Sequence, residues 1–186
     1  MLLETLFVPD ALKTVYQPIV ALDDAHGVFG VECLTRGPAG TNFERADVLF
    51  DYVRAKRASE RVDRLCIATA FANLPVIPRH IAIALNVHAA TIAAPDALAF
   101  LLDEAERNGI EANRIIIEVV EHTPALDARG FVENVLTMRA AGIRFALDDF
   151  GNGHSSLRLA MDVAPELIKL DRSFIDGCSV DARRRS

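Results

Sequence analysis

Five apolar segments of the chain each end in a polar residue of a type that binds metal ions or acts on phosphate. The segments are Val28–Glu32, Ile81–Asn86, Ile115–Glu118, Ile143–Asp148 and Leu167–Lys169. Four of their last residues offer carboxylate or amide oxygens, and the fifth offers an ammonium group. A donor set of oxygens alone selects Mg²⁺, Mn²⁺ or Ca²⁺ over Zn²⁺. The pattern therefore predicts a divalent-metal site that hydrolyses a phosphate ester.

Asp149 and Lys169 add to this chemistry. Asp149 directly follows Asp148 where the fourth segment is predicted to run into a loop, and neighbouring carboxylates there can hold two ions. Lys169 would orient an attacking water or offset charge on a phosphoryl oxygen. Taken singly, each residue has an ordinary alternative: an Asp-Asp pair is often a turn or a helix cap, and Lys169 can pair with Asp171. Their repetition at segment ends favours a shared site.

Segments with helical patterns separate the apolar ones, and this alternation predicts a parallel sheet with helices outside it. Only residues 23–27 join the first two predicted strands, Thr14–Leu22 and Val28–Leu34, so these two must pair antiparallel. The later predicted strands are Ile81–Val87, Ile115–Val119, Ile143–Leu147 and Leu167–Leu170. The predicted helices are Glu44–Arg57, Ser59–Leu74, a segment opened by Pro95 that ends at Asn108-Gly109, and Ala128–Ala141, closed by Gly142.

Residue alternation predicts the face on which the polar ends lie. Three of them share a face with small residues: Asn86 with Ala82 and Ala84, Asp148 with Ala146, and Glu32 with Gly30. Bulky residues, including Phe29 and Val31, are predicted on the opposite face, against the helices. Glu118 and Lys169, beside Ile116 and Leu167, fit this rule less well. The pattern predicts the crowded interior of a β/α barrel, with the polar ends at its C-terminal face.

Composition limits the class of protein. A chain of 186 residues with 51% hydrophobic residues suits one domain, and a net charge of −6 argues against duplex nucleic acid as a partner. The apolar start, Met1–Val8, is too short to span a bilayer and lacks the features of a signal peptide. Cys33, Cys66 and Cys178 have no paired spacing, which predicts free thiols and a cytoplasmic protein without a membrane segment.

In combination, these motifs resemble the EAL domain, the bacterial cyclic di-GMP phosphodiesterase family. The matching segments follow the family order from about Leu12 onward: Tyr16–Val20, Glu32–Arg36, Leu85–Val87, Glu118–Glu121, Asp148–Gly151 with Ser155–Leu157, and Ile168–Phe174. The resemblance implies an α/β fold, a TIM-like (β/α) barrel with an antiparallel first strand. It also implies an enzyme that uses Mg²⁺ or Mn²⁺ to hydrolyse cyclic di-GMP to linear pGpG.

The resemblance implies roles for single residues as well. The metal ligands would be Glu32, Asn86, Glu118, Asp148 and Asp149, and the catalytic residues Glu32, Asp149 and Lys169. Gln17, Leu34 and Arg36 would bind the substrate. The family's switch loop would include Phe150, Gly151, Asn152, Gly153, Ser155 and Ser156, with homodimerisation through the Asp149–Leu157 region. His88, His122 and His154 follow predicted strand ends, and we assign them no ligand role.

The chain also departs from the family pattern. Cys33 stands in place of Ala, Val120 in place of Thr, and Asn152 and His154 in place of Thr and Tyr in the switch loop. About six of eight strands are recognisable, so we expect one EAL-type domain over residues 1–186 without its C-terminal strands and with an incomplete second metal site. A catalytically inactive module that binds cyclic di-GMP or a protein is the alternative, and an unrelated phosphate-handling barrel is a more remote one.

Overall fold

The computed structural model describes residues 3–22, 27–120, 129–150, 160–161 and 163–170, without the side chains of residues 129, 149 and 150. Its centre is a six-stranded sheet whose spatial order equals the chain order. The strands are β1 (Lys13–Val20), β2 (Val28–Arg36), β3 (Ala82–His88), β4 (Ile115–Val120), β5 (Arg144–Phe150) and β6 (Leu167–Leu170). The first pair is antiparallel and every later pair is parallel, which confirms the predicted α/β half-barrel.

Four of the helices in the described residues correspond to predicted ones, and the short helix at Ala89–Ile92 was not predicted. The helices are α1 (Ala46–Ala55), α2 (Ser59–Ala72), α3 (Ala89–Ile92), α4 (Ala97–Arg107) and α5 (Arg129–Ala140), and short 3₁₀ segments cover Leu3–Phe7, Asn42–Glu44 and Ala112–Arg114. Gly109 and Gly142 follow α4 and α5 with φ of 65° and 95°, the left-handed conformation that ends many helices. No helix in the described ranges is both long and apolar enough to cross a membrane.

The two faces of the sheet differ as the alternation predicts. The inner face carries a small apolar cluster of Ala82, Ala84, Ile116 and Ala146, with Leu167 packed against it. The outer face carries bulky residues such as Ile83, Ile117 and Phe145, which join one large core with the helices. Cys33 and Cys66 are buried free thiols, and Cys178 lies outside the described residues.

Phe29 corrects the predicted assignment of faces. Between Ile19 and Val20 the partner residue on β2 jumps from Gly30 to Val28, so Phe29 is the extra residue of a β-bulge. A bulge breaks the strict alternation of side chains, and Phe29 packs against the inner cluster instead of the outer core. The guanidinium of Arg144 lies 5.6 Å from its ring centroid.

Gly30 allows β2 and β3 to approach closely on the inner face. A Cβ at this position would lie 3.2 Å from both the Cβ and the carbonyl oxygen of Ala82. We expect Gly30→Val to lower the free energy of unfolding by about 1–3 kcal/mol, because the added methyl groups overpack this contact. Gly27→Val is the matched control, since a Cβ there meets nothing within 4 Å. Urea denaturation of both variants measures the difference, and equal losses would contradict the close-packing account.

Candidate active site

The predicted polar residues lie on the inner face, at the middle of β2 and in the carboxyl halves of the four strands that follow it. Glu32 comes from β2, Asn86 from β3, Glu118 from β4, Asp148 from β5 and Lys169 from β6. The register staggers along the sheet: Glu32 pairs with Ala84, while Asn86 pairs with Glu118, and Glu118 with Ala146. Asn86 therefore lies two residues beyond the level of Glu32, and Asp148 lies two residues beyond the level of Glu118, while Asn86 and Glu118 are level. Such offsets are expected for the tilted strands of a barrel.

Three carboxylates converge on the ammonium group of Lys169. Its Nζ lies 2.6 Å from Glu118 Oε2, 3.2 Å from Glu32 Oε1 and 3.3 Å from Asp148 Oδ1. Asn86 joins the cluster by donating a hydrogen bond from Nδ2 to Glu32 Oε1 at 3.0 Å. This bond turns the amide nitrogen toward a carboxylate, so the remaining amide oxygen is the atom that can bind a cation. Side chains up to 137 positions apart in the chain thus meet at one point.

Burial shapes the electrostatics of the cluster. Glu118 is 1% exposed, and burial raises its pKa to about 7, although the ammonium of Lys169 acts in the opposite direction. Burial also works to lower the pKa of Lys169, but the negative charges of Glu118, Asp148 and Glu32 outweigh it and the pKa is raised. One ammonium group therefore faces three acidic groups, and the cluster has a deficit of positive charge.

The donor set fits a divalent cation, although its present geometry is built around Lys169. Among the described residues, no group of three or more His, Cys, Asp or Glu side chains is spaced to hold an ion directly. The three carboxylates nevertheless all reach one atom within 3.3 Å, and a hard cation needs oxygens at about 2.0–2.6 Å. The shift required is on the order of one ångström for flexible side chains, with the Lys169 ammonium moving aside. The excess of negative charge favours replacement of the ammonium group by a divalent cation.

A β-bulge lies at Asp148 and Asp149. β5 extends to Phe150, so both aspartates lie within the strand, which corrects the prediction that they come where the strand breaks into a loop. Leu147 pairs with Ile168 but Phe150 pairs with Leu170, so β5 carries one residue more than β6 over this stretch. Bulges re-aim side chains and are frequent beside active sites. The described part of the chain includes the backbone of Asp149 and Phe150 but not their side chains. It also excludes the other predicted switch-loop residues, which are Gly151, Asn152, Gly153, Ser155 and Ser156.

A cavity of about 450 Å³ borders the cluster, between the ends of β2 and β3 and the helices α1 and α2. Asn86 and Asp148 line it, as do two of the predicted substrate-binding residues, Leu34 and Arg36. Its volume is typical of sites for small molecules. Gln17 is exposed and lies opposite Glu32 in the β1–β2 register, outside the lining of this cavity.

Sequence reasoning missed a buried polar network at the edge of this cavity. Asp63 of α2 is 1% exposed and accepts hydrogen bonds from His88 and Thr91. His88 was predicted to follow the end of the third strand, but it is the last residue of β3 and is 5% exposed. A partial signal existed, since Asp63 falls on the buried side of α2 beside Val62, Cys66 and Ile67, and a buried acid requires a partner.

Comparison with known proteins identifies the family. The family model described as "EAL domain" matches residues 2–186. The chain belongs to the EAL domain family. A probable cyclic di-GMP phosphodiesterase of Escherichia coli, PdeB, is 28% identical over 167 residues, which make up 87% of this chain and 32% of the relative.

Solved structures agree with the assignment. BlrP1 of Klebsiella pneumoniae, in complex with calcium and cyclic di-GMP, is 26% identical with a TM-score of 0.78, over 95% of this EAL domain and 44% of that chain. An EAL domain protein of Listeria monocytogenes shares the fold, at 23% identity and a TM-score of 0.70, over 94% of this chain and 69% of that one. The chain spans less than half the length of PdeB and less than half the length of the BlrP1 chain.

Proposed function

We propose that this EAL domain hydrolyses cyclic di-GMP to linear pGpG with the help of Mg²⁺ or Mn²⁺. The observation that carries the proposal is the convergence of Glu32, Glu118 and Asp148 within 3.3 Å of one atom, beside a cavity of about 450 Å³. The BlrP1 complex with manganese and cyclic di-GMP, 25% identical to this chain, supports both the ligand and the kind of ion. Cyclic di-GMP is the partner that we infer.

The cation would be held by Glu32, Asn86, Glu118 and Asp148. All four offer oxygen donors, and Asn86 is already oriented by its bond to Glu32. The backbone bulge at residues 148–149 supports a role for Asp149 at a second ion, because it breaks the alternation that would otherwise send neighbouring side chains apart. When bound, such an ion polarises a phosphoryl oxygen and acidifies water.

Two basic residues of the chain would position the reactants and offset the negative charge of the phosphate. Lys169, released from the carboxylates, would donate hydrogen bonds to the attacking water or to a phosphoryl oxygen. Arg36, which lines the cavity, would hold a phosphate of the ligand, since a guanidinium pairs well with phosphate oxygens. The reaction breaks one P–O ester bond: the oxygen of water bonds to phosphorus, and the departing ribose oxygen takes up a proton.

The direct test is product formation. We expect pGpG to appear when the purified chain is incubated with cyclic di-GMP and Mn²⁺, and not when EDTA is added. Asp148→Asn should reduce the rate by about 10²-fold or more, because it removes a charged donor from the cluster. Asp103→Asn, a change on α4 away from the cluster, is the matched control. Turnover that survives both EDTA and Asp148→Asn would contradict the proposal.

Binding of cyclic di-GMP without hydrolysis is the second candidate. It is favoured by the contacts of Lys169, whose ammonium group already joins the three carboxylates. Val120, which lines the cavity, also lacks the hydroxyl of the usual family residue. Calorimetric titration with EDTA present separates the two candidates: binding with no turnover under any metal condition would establish the second. The predicted single-domain organisation and the dimer contact through Asp149–Leu157 stay predictions.

A further inference from the structure

Asp63 and His88 form a buried pair whose geometry fixes the histidine tautomer. Asp63 Oδ2 accepts hydrogen bonds from the backbone N–H of His88 at 2.9 Å and from Thr91 Oγ1 at 2.6 Å. Asp63 Oδ1 lies 2.9 Å from His88 Nδ1. A carboxylate only accepts hydrogen bonds, so Nδ1 carries the proton and donates it. In the neutral imidazole, Nε2 is then an acceptor.

Nε2 of His88 is available to a ligand. The structure gives it no hydrogen-bond partner among the described residues, and 5% of the surface of His88 is exposed. His88 lines the cavity beside the acidic cluster, and its ring lies 5.9 Å from that of Phe50 on α1. The cavity walls near Phe50 also include Ala46, Ile67 and Leu85, which provide apolar contact.

We propose that the Asp63–His88 pair recognises a guanine base in this cavity, with Nε2 accepting a hydrogen bond from the Watson–Crick edge of the base. This inference rests on the proposed function. Proteins that recognise a single base combine an aromatic or apolar surface for its face with polar atoms for its edge, and Phe50 and His88 supply one of each. At N1 guanine presents a donor, N1–H, whereas adenine presents an acceptor there and donates only through its exocyclic amine. An acceptor at Nε2 that faces N1 therefore favours guanine, and Asp63 is the positioning residue that keeps Nε2 an acceptor.

The Asp63→Asn variant tests the tautomer directly. The new amide can keep its oxygen toward the His88 N–H and Thr91 while its NH₂ replaces Oδ1, so Nδ1 must accept and Nε2 becomes a donor. We expect cyclic di-GMP affinity to fall about tenfold or more while that for cyclic di-AMP stays level or rises. His88→Phe, which removes Nε2 altogether, should weaken cyclic di-GMP binding by a similar factor. Calorimetric titrations of each variant with both ligands measure these affinities.

Thr91→Val is the matched control. It removes one hydrogen bond to Asp63 but leaves the bond to Nδ1, so it should lower thermal stability without changing the preference for guanine. Mn²⁺ affinity should be unchanged in all three variants, because none of them alters an oxygen donor of the cluster. If the unaltered chain binds no cyclic di-GMP, the proposed function fails and this inference fails with it. If it binds cyclic di-GMP but Asp63→Asn and His88→Phe keep the wild-type preference for cyclic di-GMP over cyclic di-AMP, only this inference is overturned.

Discussion

Lys169→Met is expected to abolish cyclic di-GMP hydrolysis and, at the same time, to tighten the binding of Mn²⁺. Hydrolysis should fall by about 10²–10³-fold, because a positive group that stabilises charge at the phosphoryl oxygen is lost. Metal affinity should rise about tenfold or more, because the ammonium lies 2.6–3.3 Å from the three carboxylates and competes with the ion for them.

The metal-free variant should also be less stable. Without Lys169, three acidic groups face one another, and Glu118 among them is buried. We expect a loss on the order of 1–3 kcal/mol in the free energy of unfolding, recovered when Mn²⁺ is added. Lys13→Met, at the exposed start of β1, is the control and should change neither metal affinity nor turnover. Full activity in Lys169→Met, or weaker Mn²⁺ binding, would contradict the role given to Lys169.

The second large effect is a pH dependence of stability that arises from Glu118. Burial raises the pKa of this carboxyl to about 7 from an ordinary value of 4.5, so the folded protein holds its proton more strongly than the unfolded chain does. The stability contributed by the group is therefore complete below about pH 4.5 and is lost as the pH rises through about 7. Metal-free protein should lose on the order of 1–3 kcal/mol of unfolding free energy between about pH 5 and about pH 8.

Glu118→Gln isolates this contribution. The variant should show a flatter dependence over the same range, because glutamine does not titrate, whereas Glu106→Gln on the exposed side of α4 should keep the wild-type slope. Saturating Mn²⁺ should offset the loss at high pH in the unaltered chain, since the ion binds the ionised carboxylate. Urea denaturation across the pH range measures all three proteins. A wild-type slope in Glu118→Gln would assign the effect to another group.

Strand alternation made much of the site predictable. In parallel strands the side chains at the carboxyl ends meet at one edge, so Asn86, Asp148 and Glu32 could be assigned to one face from their small neighbours alone. The structure places Glu118 and Lys169 on that same face, although Ile116 and Leu167 are not small. The short loop between the first two strands likewise made their antiparallel pairing predictable.

The strand register and the long-range contacts could not be predicted from the sequence. Nothing in the alternation specifies that Glu32 pairs with Ala84 while Asn86 pairs with Glu118, and this stagger is what directs the side chains to a common point. The bulge at Phe29 breaks the same alternation and produced a wrong assignment of its face. The pair of Asp63 and His88 joins a helix to a strand end 25 residues away, and no local pattern marks such a contact.

The central claim is that side chains from four strands form one binding site for a divalent cation. Calorimetric titration of the metal-free chain with Mn²⁺ tests it most directly, compared with Glu32→Gln, Glu118→Gln and Asp148→Asn. The account predicts saturable binding to the unaltered chain and an affinity about tenfold or more lower in each variant, because each change removes a charged oxygen donor. Absence of binding to the folded chain, or equal affinity in all four proteins, would contradict it.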